Sequence, residues 1–207
     1  LSLRVNALQI SPELRKNLVY GLIRNDILNI EETKSNQFVL DLLGFHAYNL
    51  RHATLSLISI ISATYKGVEY LMSNGPSIVE KIIDIMKGVE DGQVIQRFCI
   101  AILQKMSVKE DTIPIYMKAN LIDWIIKLLQ RSRVNDIHIF CLDFASALLA
   151  NILHSNITLD FLENNISVCK NLTETFLSMI KENIPTSVLM HILICLSYLS
   201  KDRFTAI

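Results

Sequence analysis

Several residue types that mark particular protein classes are scarce in this sequence. Its 207 residues include only six glycines, four prolines and one tryptophan, which argues against a turn-rich β-protein and suits packed helices. Twenty basic side chains balance twenty acidic ones, so the formal net charge is zero. No long-range field therefore attracts nucleic acid or an anionic lipid surface, and we expect neither as a partner.

No apolar run in the sequence is long enough to cross a bilayer. The longest, Leu55–Tyr65 and Val188–Ser200, contain Ser or His and fall well short of the roughly 20 residues that a spanning helix needs. The sequence opens with LSLRVN, which is not a signal-peptide pattern. We expect a cytoplasmic segment that is a fragment of a longer protein, with no insertion into a membrane.

The four cysteines do not form a disulfide or zinc framework. No two of them make a CxxC pair, as expected for reduced core residues in a cytosolic protein. Two His/Cys pairs at helical spacing could each share a helix face, but neither has a visible third or fourth zinc ligand. These pairs are His191 with Cys195 and His138 with Cys141. We therefore expect no metal and no other cofactor.

The sequence also lacks recognisable groups of catalytic residues. No Ser/His/Asp or Cys/His arrangement is suggested by the local sequence, and GVEDG at 88–92 lacks the Lys-Ser/Thr of a phosphate-binding loop. We expect that this chain is not an enzyme.

The sequence does contain an internal repeat. A shift of 43 residues superposes SIVEKIIDIM on NLIDWIIKLL, and a shift of 46 residues superposes QRFCIAILQK on LDFASALLAN. A period of 40 to 47 residues, with one short and two longer helices per unit, is typical of armadillo and HEAT repeats. Each unit must bury its apolar face against a neighbour. We predict an all-α, right-handed α-solenoid of about four armadillo-like repeats that forms a single domain over residues 1–207.

Capping and breaking residues give approximate helix boundaries. Irregular leading helices are expected over residues 11–34, the first starting at Ser11-Pro12 and a short second one covering Asp26–Ile30. In the second repeat, Ser77 and Glu80 have the spacing of a capping box, and Asn120 with Asp123 has the same spacing one repeat later. The predicted helices of the second repeat are Gly67–Asn74, Ser77–Lys87 and Gln93–Ser107.

One segment resembles a known repeat closely. LDFASALLANIL resembles the third helix of an armadillo repeat, in which an asparagine at the position of Asn151 commonly faces the concave groove. The equivalent places in neighbouring repeats hold Lys105 and Tyr198, and Ala147 stands where importin-α has a tryptophan. The asparagine ladder that clamps peptides in the importin-α and β-catenin groups is therefore absent, and the resemblance does not carry nuclear-localisation-signal binding to this chain.

A finer resemblance covers most of the chain. The segments QRFCIAILQKMSVKEDTIPIYMKANLIDWIIKLLQ and LDFASALLAN are similar to the ciliary LisH-domain armadillo repeat-containing protein nine family. The resemblance implies a cytoskeletal protein of the cilium and basal body, with a LisH dimerisation segment outside this sequence. It also implies ciliary scaffold partners, notably a TOG-domain microtubule-associated protein, and a role in ciliary assembly, stability or signalling.

Five polar residues are predicted to line the concave face of the solenoid as a groove of mixed charge. The alternative is that such residues only solvate a helix face, since few surface side chains contribute strongly to binding. The candidate partner-binding residues are Arg97, Lys105, Asp143, Asn151 and Tyr198.

Trp124 is a separate candidate, as an interface anchor. It aligns with the polar Lys81 and Thr175 of other repeats, which suggests an outward position. The alternative is that its ring packs against the short helix of its own repeat, because tryptophan is usually largely buried.

The sequence thus favours a non-enzymatic scaffold that binds protein partners. The alternative is a HEAT- or armadillo-like cargo receptor or regulatory subunit that binds a peptide in its concave groove. The missing Trp-x-x-x-Asn ladder argues against that alternative, and binding of basic peptides would favour it.

Overall fold

The computed structural model describes residues 11–132, 137–182 and 184–200. These residues form α-helices and one short 3-10 helix, Glu110–Thr112, and contain no β-strand. The all-α prediction is confirmed. In chain order the α-helices are α1 (Pro12–Arg24), α2 (Gln37–Gly44), α3 (Tyr48–Ile61), α4 (Tyr65–Met72), α5 (Ser77–Lys87), α6 (Val94–Met106), α7 (Ile113–Lys118), α8 (Leu121–Arg131), α9 (Ile139–His154), α10 (Asn156–Glu163), α11 (Ile166–Ile180) and α12 (Thr186–Leu199).

After α1 the helices follow the repeat that the sequence predicts. Helix 1 of a repeat is short (α4, α7, α10), helix 2 follows it (α2, α5, α8, α11), and helix 3 closes the repeat (α3, α6, α9, α12). The helices of the second repeat end within about two residues of their predicted boundaries, and α5 matches them at both ends. The chain divides into two compact units, with the boundary between Met106 and Ser107.

Within each unit, equivalent helices of consecutive repeats pack side by side. In unit 1, α2 contacts α5 and α3 contacts α6; in unit 2, α8 contacts α11 and α9 contacts α12. The apolar side chains recur every three or four residues and so lie on one helix face, which these contacts cover. Ile78, Ile82 and Met86 on α5 are fully buried, as are Leu121, Ile125 and Leu129 on α8.

The leading segment differs from its prediction after α1. The short helix expected over Asp26–Ile30 is absent, and turns occupy this stretch. Asp26 and Asn29 have positive φ angles of 41° and 52°, a conformation that α-helices of L-residues do not use. The Asp26 carboxylate accepts hydrogen bonds from the backbone N–H groups of Ile30, Glu31 and Glu32, so a side chain replaces the helical carbonyls as acceptor.

Helix starts also differ in part from the predicted caps. Ser11 caps α1 as expected, because its Oγ accepts from the Leu14 N–H at 3.3 Å. The capping box at Ser77 is wrong: Ser77 is the first helical residue, and its Oγ accepts instead from Asn36 Nδ2 at 2.7 Å. Asn120 does precede α8, but in the left-handed region and without a side-chain cap. At Ser77, a contact between repeats takes the place of the predicted local cap.

Asp26 should make the stability of the protein depend on acidity. Burial alone would raise the pKa of this carboxyl, but hydrogen bonds from the Glu32 N–H, the Tyr70 hydroxyl and the Ile30 and Glu31 N–H groups lower it below its ordinary value. A lowered pKa means that the unfolded chain binds more protons. The stability that the ionised Asp26 carboxylate contributes is therefore complete above the unfolded-state pKa of about 4. It is lost as the pH falls through the folded-state pKa.

Urea unfolding at a series of pH values checks this. Wild type should be more stable than Asp26→Asn near neutral pH, and the difference should shrink as the pH falls below about 4. A difference that stayed constant across that range would contradict the assigned role of the carboxylate.

Candidate functional site

The five predicted partner-binding residues all lie on helix 3 of a repeat and are half-buried. Arg97 and Lys105 are on α6 in unit 1, Asp143 and Asn151 are on α9, and Tyr198 is on α12 in unit 2. The structure therefore groups them as two residues in one unit and three in the other.

Lys105 connects two repeats of unit 1. Its Nζ donates to the backbone oxygen of Ser59 at 2.6 Å and lies 3.0 Å from the Ser59 Oγ, so α6 is joined to the last turn of α3. Arg97 lies two turns earlier on the same helix. Its Nε is buried and has no hydrogen-bond partner in the described part of the chain. The two basic residues differ in that Lys105 contacts the neighbouring repeat.

Asp143 faces a histidine that the sequence analysis did not assign to the surface. The Asp143 Oδ1 lies 3.7 Å from Nδ1 of His191 on α12, and the same nitrogen lies 3.1 Å from the Ser146 Oγ on α9. Aspartate and histidine form an ion pair only when the imidazole is protonated. The Ser146–His191 hydrogen bond joins α9 to α12, whereas the buried Asp143 Oδ1 has no hydrogen-bond partner among the described residues.

Asn151 and Tyr198 are connected to one pocket at the end of α9. Asn151 Nδ2 donates to the Ser107 Oγ at 2.8 Å, and the Tyr198 hydroxyl lies 3.0 Å from Nδ1 of His154. A pocket of about 390 Å³ is lined by Ser107, Asn151, His154 and their neighbours. Its wall includes Ser155, whose buried Oγ has no hydrogen-bond partner among the described residues. The pocket is therefore lined by polar groups in addition to Val108 and Ile113.

Sequence reasoning missed the residues that contact the predicted ones. Ser107 and His154 each lie 44 residues before their partners, Asn151 and Tyr198, and Ser59 lies 46 residues before Lys105. These separations equal one repeat. Searching for polar residues one period away from each candidate would have found all three.

Trp124 lies on α8, helix 2 of its repeat, and is half-buried. The structure places it on a different helix layer from the five helix-3 residues. A half-buried ring is compatible with both interpretations made from the sequence, so its role as an interface anchor stays a prediction.

The cysteine thiols are buried, and the pKa of three of them is raised. All four are buried and none is in a disulfide, and burial raises the pKa of Cys99, of Cys169 and, to about 12, of Cys195. A protonated thiol is a poor nucleophile and a poor metal ligand. Across the described ranges, no group of three or more His, Cys, Asp or Glu side chains is placed to hold a metal ion.

In the described segments, no helix taken alone has the length and apolar character required to cross a bilayer. The pair α9 and α10, bent by 83° at their junction, meets those requirements of length and composition only when its two helices are combined.

Solved structures with the same arrangement are armadillo repeat proteins. The designed armadillo repeat protein YIII(Dq)4CqI matches 95% of this chain and 80% of its own, with a TM-score of 0.61 and 16% identity. A second designed armadillo repeat protein, in complex with the peptide (KR)4, has a TM-score of 0.64 at 13% identity, with the same coverage. The chain has an armadillo-type repeat fold. The predicted fold class is confirmed.

The sequence of this armadillo-type chain is similar to LisH domain-containing protein ARMC9. It is 26% identical to the Xenopus tropicalis protein and 28% identical to the Danio rerio protein, in each case over 140 residues. That stretch covers 68% of this chain and 17% of each relative, so the match spans about a sixth of their length. No family model matches the chain. The predicted resemblance to the LisH-domain armadillo repeat-containing protein nine family is confirmed by these matches.

Lys105→Met should lower the stability of the armadillo-type chain. The substitution keeps most of the aliphatic stem but removes the ammonium that bonds to Ser59. A hydrogen bond that involves a charged group contributes about 1.5 to 3 kcal/mol, and we expect a loss of that size in urea unfolding. Lys181→Met, at an exposed position after α11, should change stability by less than about 0.5 kcal/mol. Equal losses for the two variants would show that the contact to Ser59 contributes nothing.

Proposed function

We propose that this chain is a non-enzymatic scaffold that binds a protein segment along the helix-3 side of unit 2, over α9 and α12. The observation that carries the proposal is the pocket at the end of α9, where Asn151, His154 and Ser155 present polar groups and Tyr198 adjoins His154. A repeat protein uses its extended helix surfaces for binding. We also propose that residues 1–207 belong to one armadillo-type domain.

The chemistry of this surface favours a polypeptide as the ligand. An amide such as Asn151 and hydroxyls such as Ser155 both donate and accept hydrogen bonds, which matches the alternating N–H and C=O groups of an extended chain. A designed neighbour of the same fold binds the peptide (KR)4, which supports a peptide as the ligand class. Asp143 would add a carboxylate to this surface, while Arg97 and Lys105 remain separate candidate partner-binding residues on unit 1. Trp124 remains a candidate anchor.

The finer proposal is a role at the cilium or basal body. It rests on the resemblance to the ciliary LisH-domain family and on the relatives named LisH domain-containing protein ARMC9. In this proposal the whole protein is cytoskeletal and acts in ciliary assembly, stability or signalling. Its partners would be ciliary scaffolds or a TOG-domain microtubule-associated protein.

Affinity purification of the full-length protein from ciliated cells tests both the scaffold role and the ciliary role. We expect basal-body proteins to be recovered with wild type and to be reduced several-fold with Asn151→Ala and with Tyr198→Ala. Ser197→Ala, at an exposed neighbouring position on α12, is the matched control and should not alter recovery.

Two results would contradict these proposals separately. Recovery of importin or cadherin partners without basal-body proteins would exclude the ciliary role and leave the scaffold role intact. A large loss of melting temperature for Asn151→Ala, with unchanged binding per folded molecule, would show that Asn151 is structural and does not contact the partner.

The alternative function is a cargo receptor or regulatory subunit that binds a basic peptide in its groove. The designed neighbour bound to (KR)4 favours it, and the incomplete asparagine ladder argues against it. Micromolar or tighter binding of (KR)4 by this chain, abolished by Asn151→Ala, would make this alternative the better assignment.

A further inference from the structure

A second open surface lies on the helix-2 layer of unit 1. There α2 and α5, which are helix 2 of consecutive repeats, enclose a groove of about 770 Å³. Leu40, Asp41 and Phe45 line one wall, and Glu80, Lys81 and Asp84 line the other. None of the helix-3 residues discussed above lines this groove.

Hydrogen bonds fix both ends of the groove. At one end, Asn36 is 5% exposed, and its Nδ2 donates to the Ser77 Oγ at 2.7 Å and to the Asn74 backbone oxygen at 3.2 Å, which joins the start of α2 to the start of α5. At the other end, Arg51 donates to the backbone oxygen of Phe45 at 3.0 Å. A surface that is already ordered loses little conformational entropy when it binds.

The groove carries an exposed aromatic ring. Phe45 is 54% exposed and borders the groove together with Leu40. Aromatic side chains are enriched at the buried centres of protein interfaces, because covering them removes a large apolar area from water. The position of Phe45 therefore favours a partner that contributes an apolar side chain.

The charged residues around the Phe45 ring indicate which charge that partner should carry. Three carboxylates, those of Asp41, Glu80 and Asp84, line the groove with one ammonium group, that of Lys81. The Arg51 guanidinium at one end is a second cation, so the local charge is still negative although the whole chain is neutral. The Asp84 side chain is exposed and makes no hydrogen bond or ion pair with another described residue. The local excess of negative charge complements a cationic segment.

We propose that the groove between α2 and α5 binds a basic protein segment that carries a hydrophobic side chain. Lysine or arginine side chains of the segment pair with the carboxylates of Asp41, Glu80 and Asp84. Its apolar side chain covers Phe45 and Leu40. This gives the chain a binding surface on helix 2 in addition to the one proposed on helix 3.

Fluorescence anisotropy with labelled synthetic peptides tests this on the 207-residue chain. The probe is KRKLFKRK, and the comparison peptides are (KR)4, which lacks apolar residues, and the acidic EDELFEDE. We expect KRKLFKRK to bind several-fold more tightly than (KR)4, no binding of EDELFEDE, and weaker binding as salt concentration rises.

Matched variants separate the groove from general electrostatics. Asp84→Lys should weaken KRKLFKRK binding about tenfold or more, since it replaces an attractive charge with a repulsive one. Glu69→Lys makes the same change in net charge at an exposed position on α4 outside the groove and should have little effect. Phe45→Ala should weaken binding several-fold, and Asn151→Ala should leave it unchanged. Asp84→Asn serves as a milder variant if Asp84→Lys lowers the melting temperature.

Three results would overturn the proposal. Equal losses with Glu69→Lys and Asp84→Lys would show non-specific attraction. Loss of binding with Asn151→Ala would show that the peptide binds to the helix-3 surface. Equal binding of KRKLFKRK and (KR)4, with no effect of Phe45→Ala, would show that no apolar contact contributes to binding.

Discussion

Gly67→Ala is expected to destabilise the protein by about 3 kcal/mol or more. Gly67 is buried in the first turn of α4, and an added Cβ would lie 1.7 Å from the backbone oxygen of Ile61 and 2.6 Å from its carbonyl carbon. Both are main-chain atoms at the end of α3, so no side-chain rotation relieves the overlap. The backbone of the turn between α3 and α4 would have to move, and the contacts that α4 makes with its neighbours would be disturbed.

Gly21→Ala is the matched control for this prediction. A Cβ at Gly21 would meet nothing within 4 Å, and the residue lies inside α1, where alanine is favoured over glycine by up to about 1 kcal/mol. This variant should therefore be slightly more stable than wild type. Urea unfolding of both variants measures the difference. A stable Gly67→Ala protein would mean that helix 1 does not approach Ile61 as closely as described.

Leu149→Ala should cost about 2 to 5 kcal/mol in unit 2. Leu149 is fully buried in α9, a helix that packs against α8, α10 and α12. Removing three carbon atoms leaves a cavity, because helices held from several sides cannot all collapse onto it. In a short stack of repeats, a loss of this size affects the neighbouring repeat as well.

Leu193→Ala provides the comparison. Leu193 is the same residue type on α12 but is 53% exposed, and its truncation should change stability by no more than about 0.5 kcal/mol. Thermal and urea unfolding of the two variants should differ clearly. Similar losses at the two positions would show that burial in unit 2 is not as described.

The helices and their repeat could be predicted because they depend on local patterns. Apolar side chains spaced three or four residues apart define a buried helix face, and the same pattern recurring after 43 or 46 residues defines the repeat. This information was enough to place α5 from Ser77 to Lys87. It was also enough to assign Lys105, Asn151 and Tyr198 to helix 3.

The local structure that was predicted wrongly, at Asp26 and Ser77, depends on contacts with residues about 40 positions away in the sequence. The turn at Asp26 depends on Tyr70, whose hydroxyl donates to Asp26 Oδ1 at 2.6 Å and accepts from the Leu28 N–H at 3.1 Å. Ser77 bonds to Asn36 and so does not cap its own helix. Local propensity cannot detect a partner about 40 residues away. For the same reason the candidate surface residues could be predicted from the sequence, whereas their contacts with Ser107, His154 and His191 could not.

These polar contacts also decide whether the repeats are interchangeable modules. Each bond joins a donor in one repeat to an acceptor in the preceding repeat or leading segment, but the chemistry changes along the chain: the Tyr70 hydroxyl donates to a carboxylate, Lys105 to a backbone carbonyl, and Asn151 to a serine hydroxyl. A shuffled neighbour would present the wrong polar group to each of these residues. We therefore expect the hydrogen bonds to favour the natural order of repeats, in addition to the apolar packing that all repeats share.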